Sequence, residues 1–223
     1  LSRESEAQKE LRQYYNERAP VYEEGYHRDE EVFQAEIVQI KKEVQNLFES
    51  RRVLEVACGT GVWTQVLAGV AEHVTATDIS SAVLTEARRK KLDTRRVILI
   101  EADAYNLSSV SGSFDAGFAG FWFSHIPRDK IQEFLSEFHS RLGKNSFVFM
   151  VDNTFEEGRG GRLIRKPGTL DTFKLRALPD GSEHKVLKNY YNESLLRTIF
   201  SQISRNLTLH EGKWFWWLSY FIA

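Results

Sequence analysis

The chain has 223 residues, enough for one α/β domain that buries most of its unfolded-state surface around a single core. Its 30 basic and 31 acidic side chains leave a net charge of −1, so no chain-wide field draws it to phosphates and nucleic acid is disfavoured as a partner. A single cysteine, Cys58, cannot form an internal disulfide, which fits a reducing, cytoplasmic setting.

The start at Leu1 in place of Met reads as a trimmed sequence, and no basic-then-apolar leader follows it. The opening segment, Ser2 to Tyr15, is charged and helix-prone and leads into Tyr14-Tyr15-Asn16-Glu17-Arg18-Ala19-Pro20-Val21-Tyr22. Residues 1–29 are expected to cap a single domain that spans the whole chain. Between Glu30 and Phe48 the apolar residues Phe33, Ile37, Ile40, Val44, Leu47 and Phe48 recur every three or four positions, as in a helix with one buried stripe.

The stretch Val53-Leu54-Glu55-Val56-Ala57-Cys58-Gly59-Thr60-Gly61 is the most informative in the chain. Its apolar run predicts a buried parallel strand, its glycines a tight turn, and Val62 to Val70 the following helix. In open α/β sheets a nucleotide-like ligand sits at such a turn, where helix N–H groups face the pocket. The next strand, His73 to Thr77, ends in Asp78, whose carboxylate can accept from both hydroxyls of a ribose. Ser80 is a plausible N-cap for a helix through Lys91, and the basic run Arg88 to Lys91 suits the negative end of its dipole as a solvated face better than it suits a nucleic-acid patch. The strand Val97 to Ala102 ends in Asp103. Three polar strand tips predict an adenosine-bearing cofactor.

After a Ser-rich loop comes the strand Phe114 to Phe118, then Gly120, Phe121 and Trp122, expected to pass close to the ligand and floor its pocket. Pro127 opens a helix that buries Ile131, Phe134, Leu135, Phe138 and Leu142 and stops at Gly143. The strand Phe147 to Val151 ends in Asp152-Asn153. Residues 154–190 break the alternation of helices and strands. Two extended segments around Pro179-Asp180-Gly181 predict a β-hairpin, an insertion placed above the pocket as an acceptor-binding lid. Its arginines Arg159, Arg162 and Arg165 either meet an anionic acceptor or solubilise a loop. A helix from Glu193 to Ile203 precedes two strands, Asn206 to His210 and Trp214 to Ile222, joined by a tight turn and so antiparallel. The apolar run Trp214 to Ala223 is too short to cross a bilayer.

The run Val53 to Gly61, the acidic tip Asp78, Ala102-Asp103-Ala104 and Phe114-Asp115 together resemble class I S-adenosylmethionine-dependent methyltransferases, over about Tyr14 to Asp152. The stretch Gly120 to Pro127 is similar to a bacterial group with small-molecule acceptors. The resemblance implies a Rossmann-like seven-stranded, mostly parallel sheet with helices on both faces and an antiparallel last strand. It implies S-adenosylmethionine as cofactor and S-adenosylhomocysteine as product. The residues it places at the cofactor are Glu55, Ala57, Cys58, Gly59, Thr60, Gly61 and Trp63 at the first turn, and Asp78, Ile79 and Ser80 at the second. Asp103 and Ala104 stand at the third tip, Gly120 and Phe121 at the fourth. Tyr14, Arg18 and Tyr22 fold over its methionine end, unless they merely cover apolar surface on an amphipathic helix. Nucleic-acid and glutamine amino methyltransferases resemble one another in an Asn/Asp-Pro-Pro-aromatic signature; Ala119-Gly120-Phe121-Trp122 stands here instead, which argues against a base or amide nitrogen as target.

A dinucleotide fingerprint needs a third glycine, and that position holds Thr64, so an NAD(P)-linked oxidoreductase is the weaker alternative. A cofactor-binding protein without transfer is the other. Methyl transfer from a sulfonium is an in-line displacement in which alignment dominates, and an oxygen or nitrogen acceptor also benefits from a general base. His125 is the candidate base, against a structural role at a helix start; His184, His27 and Tyr190 rank behind it. Glu55 equally suits a bond to loop N–H groups, and Cys58 a packing role. No grouping has metal-site spacing, so no metal is expected. A small-molecule acceptor is the expected partner, with the protein a monomer or homodimer.

Overall fold

The computed structural model describes residues 6–26, 29–178 and 180–223. His27, one of the alternative bases, and Pro179 of the hairpin turn lie outside the described residues. The helices are α1 (Glu6–Arg18), α2 (Glu31–Leu47), α3 (Val62–Ala68), α4 (Ser81–Arg89), α5 (Ile131–Ser140) and α6 (Glu193–Phe200), with a 3-10 stretch at Ala19–Tyr26. The strands are β1 (Arg52–Val56), β2 (His73–Asp78), β3 (Val97–Glu101), β4 (Phe114–Gly120), β5 (Leu142–Asn153), β6 (Arg162–Arg165), β7 (Thr172–Ala177), β8 (Glu183–Leu187), β9 (Ser204–Glu211) and β10 (Phe215–Ile222).

Seven strands form one sheet in the order β3-β2-β1-β4-β5-β10-β9. All neighbours are parallel except β10, which runs against both β5 and β9. The expected reversed last strand is present, one place in from the edge. The order reverses between β1 and β4, and there the carboxyl ends of the strands open a crevice.

Both faces are covered, which is why the strands read as unbroken apolar runs. Along β5, Phe147, Phe149 and Val151 join the core under α2 and α3, while Val148 and Met150 join the core under α5 and α6. Phe33, Ile37, Ile40 and Val44 are the buried stripe of α2. From the same helix Glu36 accepts backbone N–H bonds from Lys213 (2.7 Å) and Trp214 (3.0 Å), holding the turn between β9 and β10.

One expected boundary is corrected and one expected element is extended. The helix after Pro127 ends at Ser140; Leu142 belongs to β5, where it pairs with Phe114 and still enters the same core. The expected hairpin is present as β7-β8, and a third antiparallel strand, β6, pairs with β7 to make the insertion a three-stranded sheet. Strand β6 was hidden because Arg162-Leu163-Ile164-Arg165 is short and follows three glycines. Helix α1 packs on this lid through Leu11 and Tyr14 against Leu178 and Val186, and Glu10 accepts the Lys185 backbone N–H at 2.7 Å. Among the described residues no helix is long and apolar enough to cross a membrane.

Candidate active site

The turn after β1 is shaped by backbone conformations that side chains disfavour. Ala57 (φ +53°), Gly59 (φ +56°) and Gly61 (φ +78°) all lie in the left-handed region. A Cβ on Gly59 would meet no atom within 4 Å, because this residue borders an open cavity; a Cβ on Gly61 would press on Ala87 of α4 at 3.2 Å. One glycine therefore borders the cavity and the other serves helix packing.

The cavity at the strand tips is lined by Ala57, Gly59, Asp78, Ile79, Ala102, Asp103, Ala104, Tyr105, Gly120, Phe121 and Trp122, and closed from α1 and the 3-10 stretch by Leu11, Tyr15 and Tyr22. Asp78 accepts the Gly59 N–H and the Ser80 N–H, both at 2.9 Å, one on each carboxylate oxygen. Burial pushes its pKa up to about 6, against the pull of those N–H groups. Asp103 folds its side chain onto the Tyr105 N–H at 2.9 Å.

Several residues expected at the cofactor stand behind the wall. Glu55 is buried and accepts from the Thr64 hydroxyl at 2.7 Å; burial raises its pKa to about 8, so it holds a proton at neutral pH. Trp63 packs on Phe118 and Phe121, and Cys58 sits in the core with its thiol pushed well above the ordinary range by burial. Thr60 bonds Glu23 at 2.8 Å. Ser80 bonds Asn16 and caps α4 through the Val83 N–H. Gly120 is required on the protein side, since a Cβ would come within 2.9 Å of Phe118 and 3.0 Å of Trp63.

A second cavity opens beside the first and under the lid. Its wall combines Arg18, Phe33, Asn153, Thr154, Glu156, Arg159, Gly160, Arg176, Lys188, Tyr190 and Trp214. Tyr15, Tyr22, Phe121 and His125 line both cavities, so they mark the junction. At this junction His125 Nδ1 lies 2.7 Å from the Leu187 carbonyl, which can only accept, so Nδ1 carries the proton. The other nitrogen, Nε2, is then an acceptor, and the Tyr15 hydroxyl donates to it at 2.8 Å. Burial first, then the charge of Lys188, holds His125 well below the usual imidazole pKa, and burial keeps the Tyr15 phenol protonated. The pair is neutral, with its tautomer fixed.

Lys188 is buried and bonded to Ser124 Oγ (2.6 Å), Asp152 Oδ1 (3.0 Å) and Asn153 Oδ1 (3.0 Å). Asp152 in turn accepts the Ser124 N–H at 2.8 Å. This network ties the lid's return segment to the tip of β5 and to the turn that carries His125.

The structure thus brings Ala57, Gly59, Asp78, Ile79, Asp103, Ala104, Gly120, Phe121, Tyr22 and His125 to the crevice, with Arg18 on the lid side. Tyr14 is directed away into the contact between α1 and the lid, and Tyr15 takes the place expected for it. Adjacent helical residues point about 100° apart, and Leu11 with Tyr14 already forms a buried i, i+3 stripe. That spacing was the available signal. Arg176, Lys188 and Tyr105 carried none, because they enter the site through the lid's pairing and a loop after β3. Of the lid arginines, Arg159 faces the cavity, while Arg162 and Arg165 are exposed on β6.

The fold and the crevice define a Rossmann-like protein with an open cavity at the carboxyl ends of its parallel strands. Residues 53–145 match the family described as a methyltransferase domain. The chain is similar to the demethylmenaquinone methyltransferase of Clavibacter sepedonicus, with 36% identity over 86 residues, covering 38% of this chain and 35% of the relative. It is also similar to that of Staphylococcus epidermidis, with 30% identity over 112 residues, 49% of this chain and 46% of the relative. The chain therefore spans between a third and a half of the length of these curated relatives. Among solved structures, the DhpI-SAM-HEP complex superposes with a TM-score of 0.76 at 23% identity, covering 98% of each chain. Residues 53–145 are thus similar to a methyltransferase domain, and the whole chain shares the fold of that solved structure.

The residues present fit the S-adenosylmethionine that this likeness implies. Gly59 leaves open space, Asp78 keeps lone pairs for a ribose, and Ile79, Ala102, Ala104 and Trp122 give the flat apolar walls that an adenine needs. The first turn lies beside the Asp78 carboxylate and has no basic side chain within residues 57–61, a setting that suits a sulfonium better than a diphosphate.

Proposed function

We propose that the protein transfers a methyl group from S-adenosylmethionine to an oxygen or nitrogen of a small-molecule acceptor seated under the lid. The observation that carries this reading is the meeting of two cavities at Tyr15, Tyr22, Phe121 and His125. Bound in the strand-tip cavity, the cofactor supplies an already activated methyl group. Asp78 would hold the ribose, while Ile79, Ala102 and Ala104 would flank the base. Tyr22 and Phe121 close the junction, excluding water and fixing the acceptor in line. An acceptor O–H or N–H placed against the Tyr15 oxygen passes its proton there as Tyr15 gives its own to His125 Nε2, whose role follows from the tautomer that Leu187 fixes.

The names of the curated relatives supply a second reading, transfer to a ring carbon of a quinone. The basic wall of Arg18, Arg159, Arg176 and Lys188 favours a polar acceptor over it. Methyl-labelled S-adenosylmethionine with a panel of phenols, amines, carboxylates and a demethylated menaquinone separates the two by the product formed. With the acceptor so found, His125→Ala and Tyr15→Phe should each lower turnover by about 10²–10⁴-fold while leaving S-adenosylhomocysteine affinity unchanged by calorimetry. Equal loss in both quantities would make the pair structural. Binding without transfer to any acceptor would leave a cofactor-binding protein that lacks catalysis.

A further inference from the structure

The lid-side cavity holds more positive charge than its own carboxylates neutralise. Lys188 is paired with Asp152, and Arg159 with Glu30. Arg18, reaching in from α1, lies 5.2 Å from the Tyr22 ring centroid and 5.8 Å from that of Tyr14, whose hydroxyl accepts from it, and it forms no ion pair with a carboxylate among the described residues. Arg176, from β7, likewise has none, and its Nε is buried without a hydrogen-bond partner. Its guanidinium lies over Gly160, where an added Cβ would stand 3.1 Å from one terminal nitrogen. The acidic side chain of the wall is Glu156. Two guanidinium groups in a partly closed cavity cost desolvation unless an anion completes their hydrogen bonds.

We propose that this cavity receives an oxyanion, a carboxylate or phosphoryl group of the methyl acceptor, gripped by Arg176 and Arg18 in front of the paired Lys188 and Arg159. The assignment rests on the methyltransferase reading and specifies its substrate class. A guanidinium presents a planar fork that matches either group through two parallel N–H···O bonds. With Arg18 on the cap and Arg176 on the lid, one anion bridges the two elements that cover the junction, so its far end is fixed relative to Tyr15 and His125.

The test titrates inorganic phosphate and, separately, acetate into the full chain loaded with S-adenosylhomocysteine, read by calorimetry and by the fluorescence of Trp214 in the cavity wall, with chloride as the control anion. At least one of the two should saturate where chloride does not, and which one does tells phosphoryl from carboxylate. Arg176→Gln should weaken that binding by about tenfold or more, Arg176→Lys by less, and Arg162→Gln on the exposed lid strand not at all. Should Arg176→Gln lack a thermal transition, Arg18→Gln carries the same expectation. Tight S-adenosylhomocysteine binding with no saturable anion, or with Arg176→Gln and Arg18→Gln binding as wild type, overturns the oxyanion site and leaves the methyltransferase reading standing. Failure to bind S-adenosylhomocysteine removes that reading and the assignment built on it.

Discussion

Glu55 shows how a single residue can look functional and be structural. It is an acid inside an apolar strand, beside the ligand turn, yet its carboxyl faces Thr64 and the core below the cavity. Its pKa rises from 4.5 in the unfolded chain to about 8 in the fold, mainly through burial. A raised folded-state pKa means that the native state binds the proton more tightly. The stabilising contribution is then fully present below pH 4.5 and is lost as pH climbs through about 8. The full span is on the order of 4–5 kcal/mol. Glu55→Gln keeps the shape of the protonated side chain and cannot ionise. Thermal melts of the ligand-free protein should show the wild type losing stability between pH 5 and 8 and the variant losing much less. Parallel curves would mean that Glu55 is ionised in the fold and solvated by water.

At the scale of elements, the lid is joined to the sheet by a buried charge pair, with apolar packing reserved for its contact with α1. Lys188 and Asp152 are both fully enclosed, and Ser124 and Asn153 complete their bonds. Removing one partner strands the other. Lys188→Met should therefore destabilise by about 3–5 kcal/mol in urea denaturation, and adding Asp152→Asn should recover part of that loss. An unpaired wild-type carboxylate that tolerates Lys188→Met without cost would show that water reaches Asp152. The same network positions His125, since Leu187 fixes its tautomer from the residue just before Lys188. Lid packing and the geometry of the Tyr15–His125 pair are thus coupled through a few residues of β8 and its continuation.

The whole molecule places the cofactor crevice where the strand order reverses, with the cap and lid meeting above it. A ligand that binds this folded crevice and not the unfolded chain raises stability by mass action. S-adenosylhomocysteine at a hundred times its Kd should add about 2.7 kcal/mol and raise the Tm by about 5–10 °C, while NADH at the same concentration should not. In Asp78→Ala the affinity should fall by about 1.5–3 kcal/mol, and the shift at equal ligand should shrink accordingly. A shift with NADH alone would reverse the cofactor assignment.

The parallel core and the strand-tip half of the crevice were legible in the sequence, because both rest on short-range chemistry. Apolar runs of strand length, a glycine turn at Gly59 and acids at the strand tips Asp78 and Asp103 each sit within a few residues of the backbone they shape. Ser80 as a helix cap is of the same kind. What tertiary structure alone decided is the half under the lid. Tyr15 rather than Tyr14 reaches the junction because α1 packs its Leu11–Tyr14 face on the lid. Arg176 and Lys188 enter the wall because β7 pairs with β8 far along the chain from β1. Such side chains meet only once distant segments have folded against each other, and no local pattern in the sequence encodes which of several arginines will face inward.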